Sequence, residues 1–212
     1  EPAITDKRII IDDFDDGNPI NRLNGQTGAW DIDPQKAHTS CEADIISLPA
    51  PDKSEKVLRL TYDIDAPINA QNGYWSKLGN LDASNADFLE FYVRGDEEAG
   101  FTSTFIVEIK KFKDKATGEK IAAKYTVENV NSDWQRVTIP LAKFNAIREW
   151  KDLDELVIIF NDRLCDKKTG TLYFDNFRFT FTEYVLPTAY DFRGSQIKKT
   201  DKDLNLVEWS QW

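Results

Sequence analysis

Methionine is absent from this chain, histidine occurs once, at His38, and cysteine twice, at Cys41 and Cys165. Each shortage removes a class of chemistry. One histidine excludes HExxH and every other two-histidine metal motif, and it leaves a Ser-His-Asp triad with little support. The two cysteines are far apart in sequence and lack C-x-x-C spacing, which argues against zinc. They stand either as one disulfide or as two thiols. No apolar run approaches the roughly 20 residues of a membrane-spanning helix, and no signal peptide is visible. A chain without methionine even at position 1 reads as a mature product or an excised domain. Basic residues are outnumbered, 27 lysines and arginines against 37 acidic residues. The net charge of -10 disfavours nucleic acid and anionic lipid, both polyanions, as partners. Acidic side chains do suit calcium and neutral, hydroxyl-rich ligands.

What the chain has is apolar and aromatic surface. Hydrophobic residues make up 41% and aromatics 12% of 212 residues, enough for a sizeable core in one large domain or one domain with an appendage. The pattern of that surface has period two. In 57–64, Leu58, Leu60, Tyr62 and Ile64 point one way, with Arg59, Thr61 and Asp63 opposite. In 88–94, Leu89, Phe91 and Val93 take one face and Glu90, Tyr92 and Arg94 the other. In 101–112, Phe105, Val107 and Ile109 face inward, with Thr104, Glu108 and Lys110 outward. Further strands are expected over 8–14, 38–48, 121–130, 134–139, 155–163 and 170–181. A hairpin turn falls at Thr117-Gly118, and 25–30 reads as a glycine-punctuated loop ending on Trp30. After Pro140, Leu141, Phe144 and Ile147 recur at helical spacing, so a loop or a single helical turn is expected there. About ten short strands with turns between them predict an all-β, antiparallel β-sandwich or barrel. Residues 183–212 break the rhythm with Pro187, a charged run and two tryptophans, and read as a linker or C-terminal tail.

Two acidic features stand out. Asp12, Asp13, Asp15 and Asp16 surround Phe14, and such a run is either a solvated loop or one relieved by a cation. In the last strand, Leu172 and Phe174 alternate, the phase slips by one after Asp175 and Asn176, and Phe177, Phe179 and Phe181 carry the apolar face onward. That slip predicts a β-bulge. A carboxylate at the kink is either a hydrogen-bonded feature of the strand or an oxygen ligand for a hard cation such as calcium. A third acidic stretch, 149–155, reads as a solvated turn rather than a strand lining a cleft.

The order of IDDFDDG, GYWSKLG, DFLEFYVRGD, DWQRVTIPLAKF and GTLYFDNFRF along residues 8–181 resembles the non-catalytic carbohydrate-binding modules with a galactose-binding-like jelly roll, the family-eleven-like group above all. The resemblance implies a β-jelly-roll domain over 1–182, secreted or at the cell surface, and part of a larger multidomain protein. It also implies a structural calcium near the first and last strands. Asp175 with Asp13 or Asp15, joined by Glu42, are the residues expected to hold it. The family varies its glycan-binding residues freely, so they are argued from chemistry. Sugar rings stack their C–H faces on aromatic plates and hydrogen-bond through their hydroxyls. Glu90, Tyr92 and Arg94 supply that mixture on one outer face, with Glu108 and Lys110 adjoining if the strands are neighbours. Trp30, Tyr74, Trp75 and Trp150 are candidate loop aromatics, each with core packing as the alternative. Polysaccharide or surface-glycan binding is the expectation. The alternatives are a structural or adhesive domain without a glycan site, and a jelly-roll glycoside hydrolase or lyase. A hydrolase would need two carboxylates about 5–9.5 Å apart.

Overall fold

The computed structural model describes residues 8–32, 38–51, 54–67, 69–182, 189–190 and 196–197. By its internal contacts the chain divides into two units, residues 1–181 and 182–212. In the second unit the described residues are one antiparallel pair, Ala189–Tyr190 with Gln196–Ile197. The rest of the expected linker lies outside the described residues.

The first unit is an antiparallel β-sandwich of jelly-roll type. Its strands are β1 (Arg8–Asp12), β2 (Thr27–Asp31), β3 (Ser40–Ser47), β4 (Lys56–Asp63), β5 (Gln71–Leu81), β6 (Phe88–Gly95), β7 (Phe105–Asp114), β8 (Glu119–Val127), β9 (Gln135–Pro140), β10 (Leu153–Asn161) and β11 (Thr169–Thr180). One sheet runs β3-β4-β11-β6-β9 with β1 also on β11; the other runs β2-β5-β10-β7-β8. The period-two pattern is the cause. Each strand offers one apolar face, and two such sheets bury those faces against each other. Leu58, Leu60 and Tyr62 of β4, Leu89, Phe91 and Val93 of β6 and Leu172 and Phe174 of β11 are buried against Phe105, Val107 and Ile109 of β7 and Leu156, Ile158 and Phe160 of β10. Tyr62 stacks on Phe160 across the two sheets at 4.1 Å.

Strand β11 is the central element. Along one edge it pairs with β6; along the other it pairs with β4 from Thr169 to Phe174 and then with β1 from Phe177 to Thr180. The change of partner coincides with the expected bulge. Asp175 faces Tyr92, but Arg178, three residues on, faces Glu90, and Asn176 has φ +58°. The extra residue keeps Phe174 and Phe177 on the same inner face, their rings stacked at 5.9 Å.

Between β9 and β10 the chain plugs one end of the core. Leu141–Lys143 is a 3-10 turn, and Phe144 N–H donates to Leu141 O and Ile147 N–H to Phe144 O, so the apolar recurrence has a spacing of three. Trp150 packs edge-on against Phe144 and Phe179, at 5.7 and 6.2 Å. It belongs to this plug and not to an exposed loop site.

Two expectations need correction. Residues 25–30 are mostly strand: β2 pairs with β5 from Thr27 to Asp31. It is an edge strand, glycine-containing and short, so its alternation is too brief to read. The hairpin loop before it is tied down by Asn21, which donates to Ser76 Oγ and Lys77 O at 2.7 Å each and accepts from Gly25 N–H at 2.7 Å. The possibility of a disulfide is not realised, since both cysteines are free. Cys41 lies in β3 opposite Tyr62, and the Cys165 thiol donates to Thr104 O at 3.3 Å. Burial pushes the Cys41 thiol up to about 12.

Phe174 touches Phe91, Phe105 and Phe177, so Phe174→Ala should destabilise the domain by about 3–5 kcal/mol, measured by equilibrium urea unfolding. Thiol titration of the denatured, unreduced protein should return two thiols per chain; none would contradict the free cysteines.

Candidate functional site

The inner residues dictate what each strand shows to solvent. In β5, Asn72, Tyr74, Ser76 and Leu78 are buried, which turns Gln71, Trp75 and Lys77 outward. In β10, Leu156, Ile158 and Phe160 face inward, which turns Glu155, Val157 and Ile159 outward. In β7 the outward set includes Glu108 and Lys110, and β8 adds Lys124. These residues, with Trp30 from β2, line a groove of about 380 Å³ on the outer face of the five-stranded sheet.

The registers order them into rows. Gly28, Trp75, Val157, Glu108 and Lys124 lie side by side across five strands. The row next to it holds Lys77, Glu155 and Lys110. On the other side, Trp30 pairs with Gly73 and Gly73 with Ile159. A Cβ on Gly28 would come within 3.3 Å of the Trp75 ring, so the missing side chain is what lets the indole lie along β2. The groove therefore has an indole end at β2 and β5, and a charged end at β7 and β8. Its floor is apolar. Val157 and Ile159 are only 3% and 4% exposed although they sit on the outer face.

At the charged end every cation has an anion. Glu155 binds Lys77 and also Lys110, the latter at 2.9 Å; Glu108 binds Lys124 at 3.2 Å and Lys110 at 3.6 Å. Burial pushes the Glu155 carboxyl up, but the hydrogen bonds from Lys77 and Lys110 outweigh it and hold it below its ordinary value of 4.5. Lys77 is raised by the same contact, against its own burial. The result is a fixed row of donors and acceptors beside two aromatic plates.

Several expected site residues fall elsewhere. Glu90, Tyr92 and Arg94 do point outward, but from β6, in the other sheet. Glu108 and Lys110 therefore lie on the opposite face of the sandwich from them, and the two groups cannot serve one ligand. The Tyr92 ring is also covered, since the Arg178 guanidinium lies 5.8 Å from its centroid and is bound to Glu90. Tyr74 is a core residue, 2% exposed. Trp30 and Trp75 are outward as expected, though on strands rather than loops. Glu155 corrects the reading of 149–155 as a solvated turn, because β10 starts inside that stretch at Leu153. Gln71, Lys77 and Lys124 went unread; the alternation of Tyr74, Ser76 and Leu78 inside GYWSKLG was the available signal.

The expected cation residues converge in part. Ser54 Oγ donates to Asp15 Oδ1 at 2.9 Å and reaches Asp175 Oδ1 at 3.5 Å, so the acidic opening does meet the final bulge. Asp175 is 0% exposed and its Oδ2 has no partner. Burial, then the charges of Asp15 and Asp13, push its carboxyl up to about 7, against a lowering bond from the Asn176 backbone. Asp13 turns to Arg22 at 2.7 Å. Glu42 is in β3 opposite Thr61, away from the bulge. Among the described residues no three Asp, Glu, His or Cys side chains gather in a metal-binding group. Two carboxylates and a hydroxyl are an oxygen-only set, which suits a hard cation completed by carbonyls or water and does not suit zinc.

Comparison with known proteins agrees with this architecture. The profile of the family described as carbohydrate binding domain 30 matches residues 58–181. The match spans more than half of the chain, which belongs to that family of carbohydrate-binding modules. The family 11 module of the cellulosomal cellulase Lic26A-Cel5E of Clostridium thermocellum superposes with a TM-score of 0.61 at 14% identity, covering 84% of this chain and 96% of that one. A family 11 module from Clostridium thermocellum in complex with a β-1,3-1,4-mixed-linked tetrasaccharide gives 0.63 at 14% identity, covering 82% and 96%. The family 30 module of the Clostridium thermocellum cellulase Cel9D-Cel44B gives 0.54 at 17% identity, covering 84% and 99%. At these identities the likeness is one of fold. No curated protein sequence matches the chain.

Proposed function

We propose that this domain is a non-catalytic module that binds a polysaccharide along the outer face of the five-stranded sheet. The observation that carries the reading is the pairing of Trp30 and Trp75 over an apolar floor with an ordered charged row beside them. Pyranose C–H faces stack on the indoles. The hydroxyls meet Gln71 and the row of Glu108, Lys110 and Glu155, whose charged side chains are already oriented by one another. The salt bridges are closed among themselves, so the face matches a neutral, hydroxyl-rich chain. Catalysis is disfavoured on the same geometry. A glycosidase acid needs a carboxyl that holds its proton, and both groove carboxylates, Glu108 and Glu155, are bound by lysines. The reading extends to a secreted or cell-surface setting in a multidomain protein, as with the cellulase modules of similar fold.

A structural calcium belongs to the proposal, held by Asp15, Asp175 and the Ser54 hydroxyl. The unpartnered, buried Asp175 Oδ2 supports it. A cation there would supply the counter-charge that the protein itself lacks at that atom.

Trp75→Ala should weaken binding to a soluble β-glucan by about 1–3 kcal/mol, roughly five- to 150-fold, while Tyr92→Ala leaves it unchanged. Affinity electrophoresis reads both, and the reverse order would move the site to the other sheet.

For the cation, the folded Asp175 pKa of about 7 lies above its ordinary 3.8. Without metal, the folded state therefore holds its proton more tightly, and stability is lost as pH rises from about 4 to 7. At pH 8 in EDTA, Asp175→Asn should melt no lower than wild type. Calcium at a hundred times its Kd should add about 2.7 kcal/mol to wild type and nothing to the variant. Equal melting temperatures of wild type in EDTA and calcium would remove the site.

A further inference from the structure

The outer face of the six-stranded sheet carries a second cluster, unused by the groove. Across it Asp44 pairs with Arg59, Arg59 with Tyr173, and Tyr173 with Arg94. The Arg94 guanidinium lies 5.6 Å from the Tyr173 ring centroid and 6.0 Å from that of Trp134, so ring faces hold it. Both rings are anchored: Trp134 Nε1 donates to Pro49 O at 3.2 Å and the Tyr173 hydroxyl to Asp96 at 2.5 Å.

Arg94 itself has no hydrogen-bond or ion-pair partner among the described residues, and its Nε is shielded from solvent without an acceptor. That is costly for a side chain with five N–H donors. The carboxylates around it are engaged elsewhere. Asp96 accepts from Tyr173 and from the backbone N–H groups of Glu98 and Ala99 at 2.9 and 3.0 Å. Asp44 holds Arg59 at 2.8 Å, and Glu90 holds Arg178 at 3.3 Å. Arg136 of β9, opposite Tyr92 and therefore one row from Arg94, is exposed and equally partnerless among the described residues.

We propose that this face is a second saccharide site, one that takes a uronic acid unit of an acidic polysaccharide. A planar guanidinium fork matches a carboxylate. Arg94 and Arg136, one row apart and without hydrogen-bond or ion-pair partners among the described residues, offer two such forks against the one charge of Asp96, which feels Arg94 but does not pair with it. The half-buried Trp134 and Tyr173 rings beside Arg94 also offer the sugar's C–H groups an apolar contact, which a bare inorganic anion would leave unused. The net charge of -10 opposes anions at long range, but beyond about 8 Å it is screened at physiological ionic strength, and contact chemistry decides. The site is on the opposite sheet from the groove and stands whether or not the groove binds a neutral chain.

Isothermal titration with tetragalacturonate and tetraglucuronate, beside a neutral tetrasaccharide, tests it. At least one uronate should bind wild type and Trp75→Ala equally, at least tenfold more weakly to Arg94→Gln and Arg94→Lys, and several-fold more weakly to exposed Arg136→Gln. Its affinity should also fall as salt rises. Any neutral-sugar affinity should be the same in the arginine variants as in wild type. The proposal is overturned if wild type binds neither uronate, if Arg136→Gln and Arg94→Lys bind as wild type does, or if Trp75→Ala abolishes uronate binding.

Discussion

Strand β11 has to satisfy three neighbours with one backbone. It runs beside β6 from Leu172 to Thr180, and on the other edge β4 ends where β1 begins. Two strands entering the same edge from different parts of the chain do not meet in register. The bulge at Asp175 and Asn176 absorbs the mismatch with one extra residue. Without it, Phe177 and Phe179 would face solvent, since a one-residue slip exchanges the faces of a strand. Their burial against Phe14, Phe91 and Trp150 closes one end of the core.

That same junction is where the fold accepts an electrostatic cost. The extra residue brings a carboxylate into the seam between β4 and β1, beside the acidic run that follows β1. Asp15 reaches Asp175 through Ser54, while Arg22 neutralises Asp13 and Asp16. Asp15 and Asp16 of the run are exposed, and the buried carboxylate at the junction is Asp175, whose Oδ2 has no partner among the described residues. A buried carboxylate without a counter-charge is unfavourable, and burial accordingly pushes the Asp175 carboxyl up to about 7.

Because the two sheets share one core, their outer faces are chemically independent. The five-stranded sheet shows indoles and mutually neutralised charges; the six-stranded sheet shows arginines between aromatic rings. Both surfaces are by-products of the same inward alternation. Trp75, Lys77, Glu155 and Arg94 each sit between two buried strand neighbours, which fixes the backbone from which they project.

The order of the chain's motifs carried the likeness to jelly-roll carbohydrate-binding modules. The sequence alone also determined which residues turn inward, and so the sandwich class, the bulge and the outward direction of Tyr92 and of Glu108. These follow from local alternation, which a strand cannot escape without exposing its apolar side chains. Strand β2 escaped notice, being too short and glycine-containing to show a period. What alternation could not supply is which strands are neighbours. Glu90, Tyr92 and Arg94 on β6 and Glu108 and Lys110 on β7 look alike in sequence, yet tertiary pairing sends β6 and β7 to different sheets. Trp30, Trp75, Glu108 and Glu155 come to line one groove only because four strands, distant along the chain, are ordered side by side by their ladders. That order is set by the long-range packing of the two apolar faces, and no local pattern encodes it.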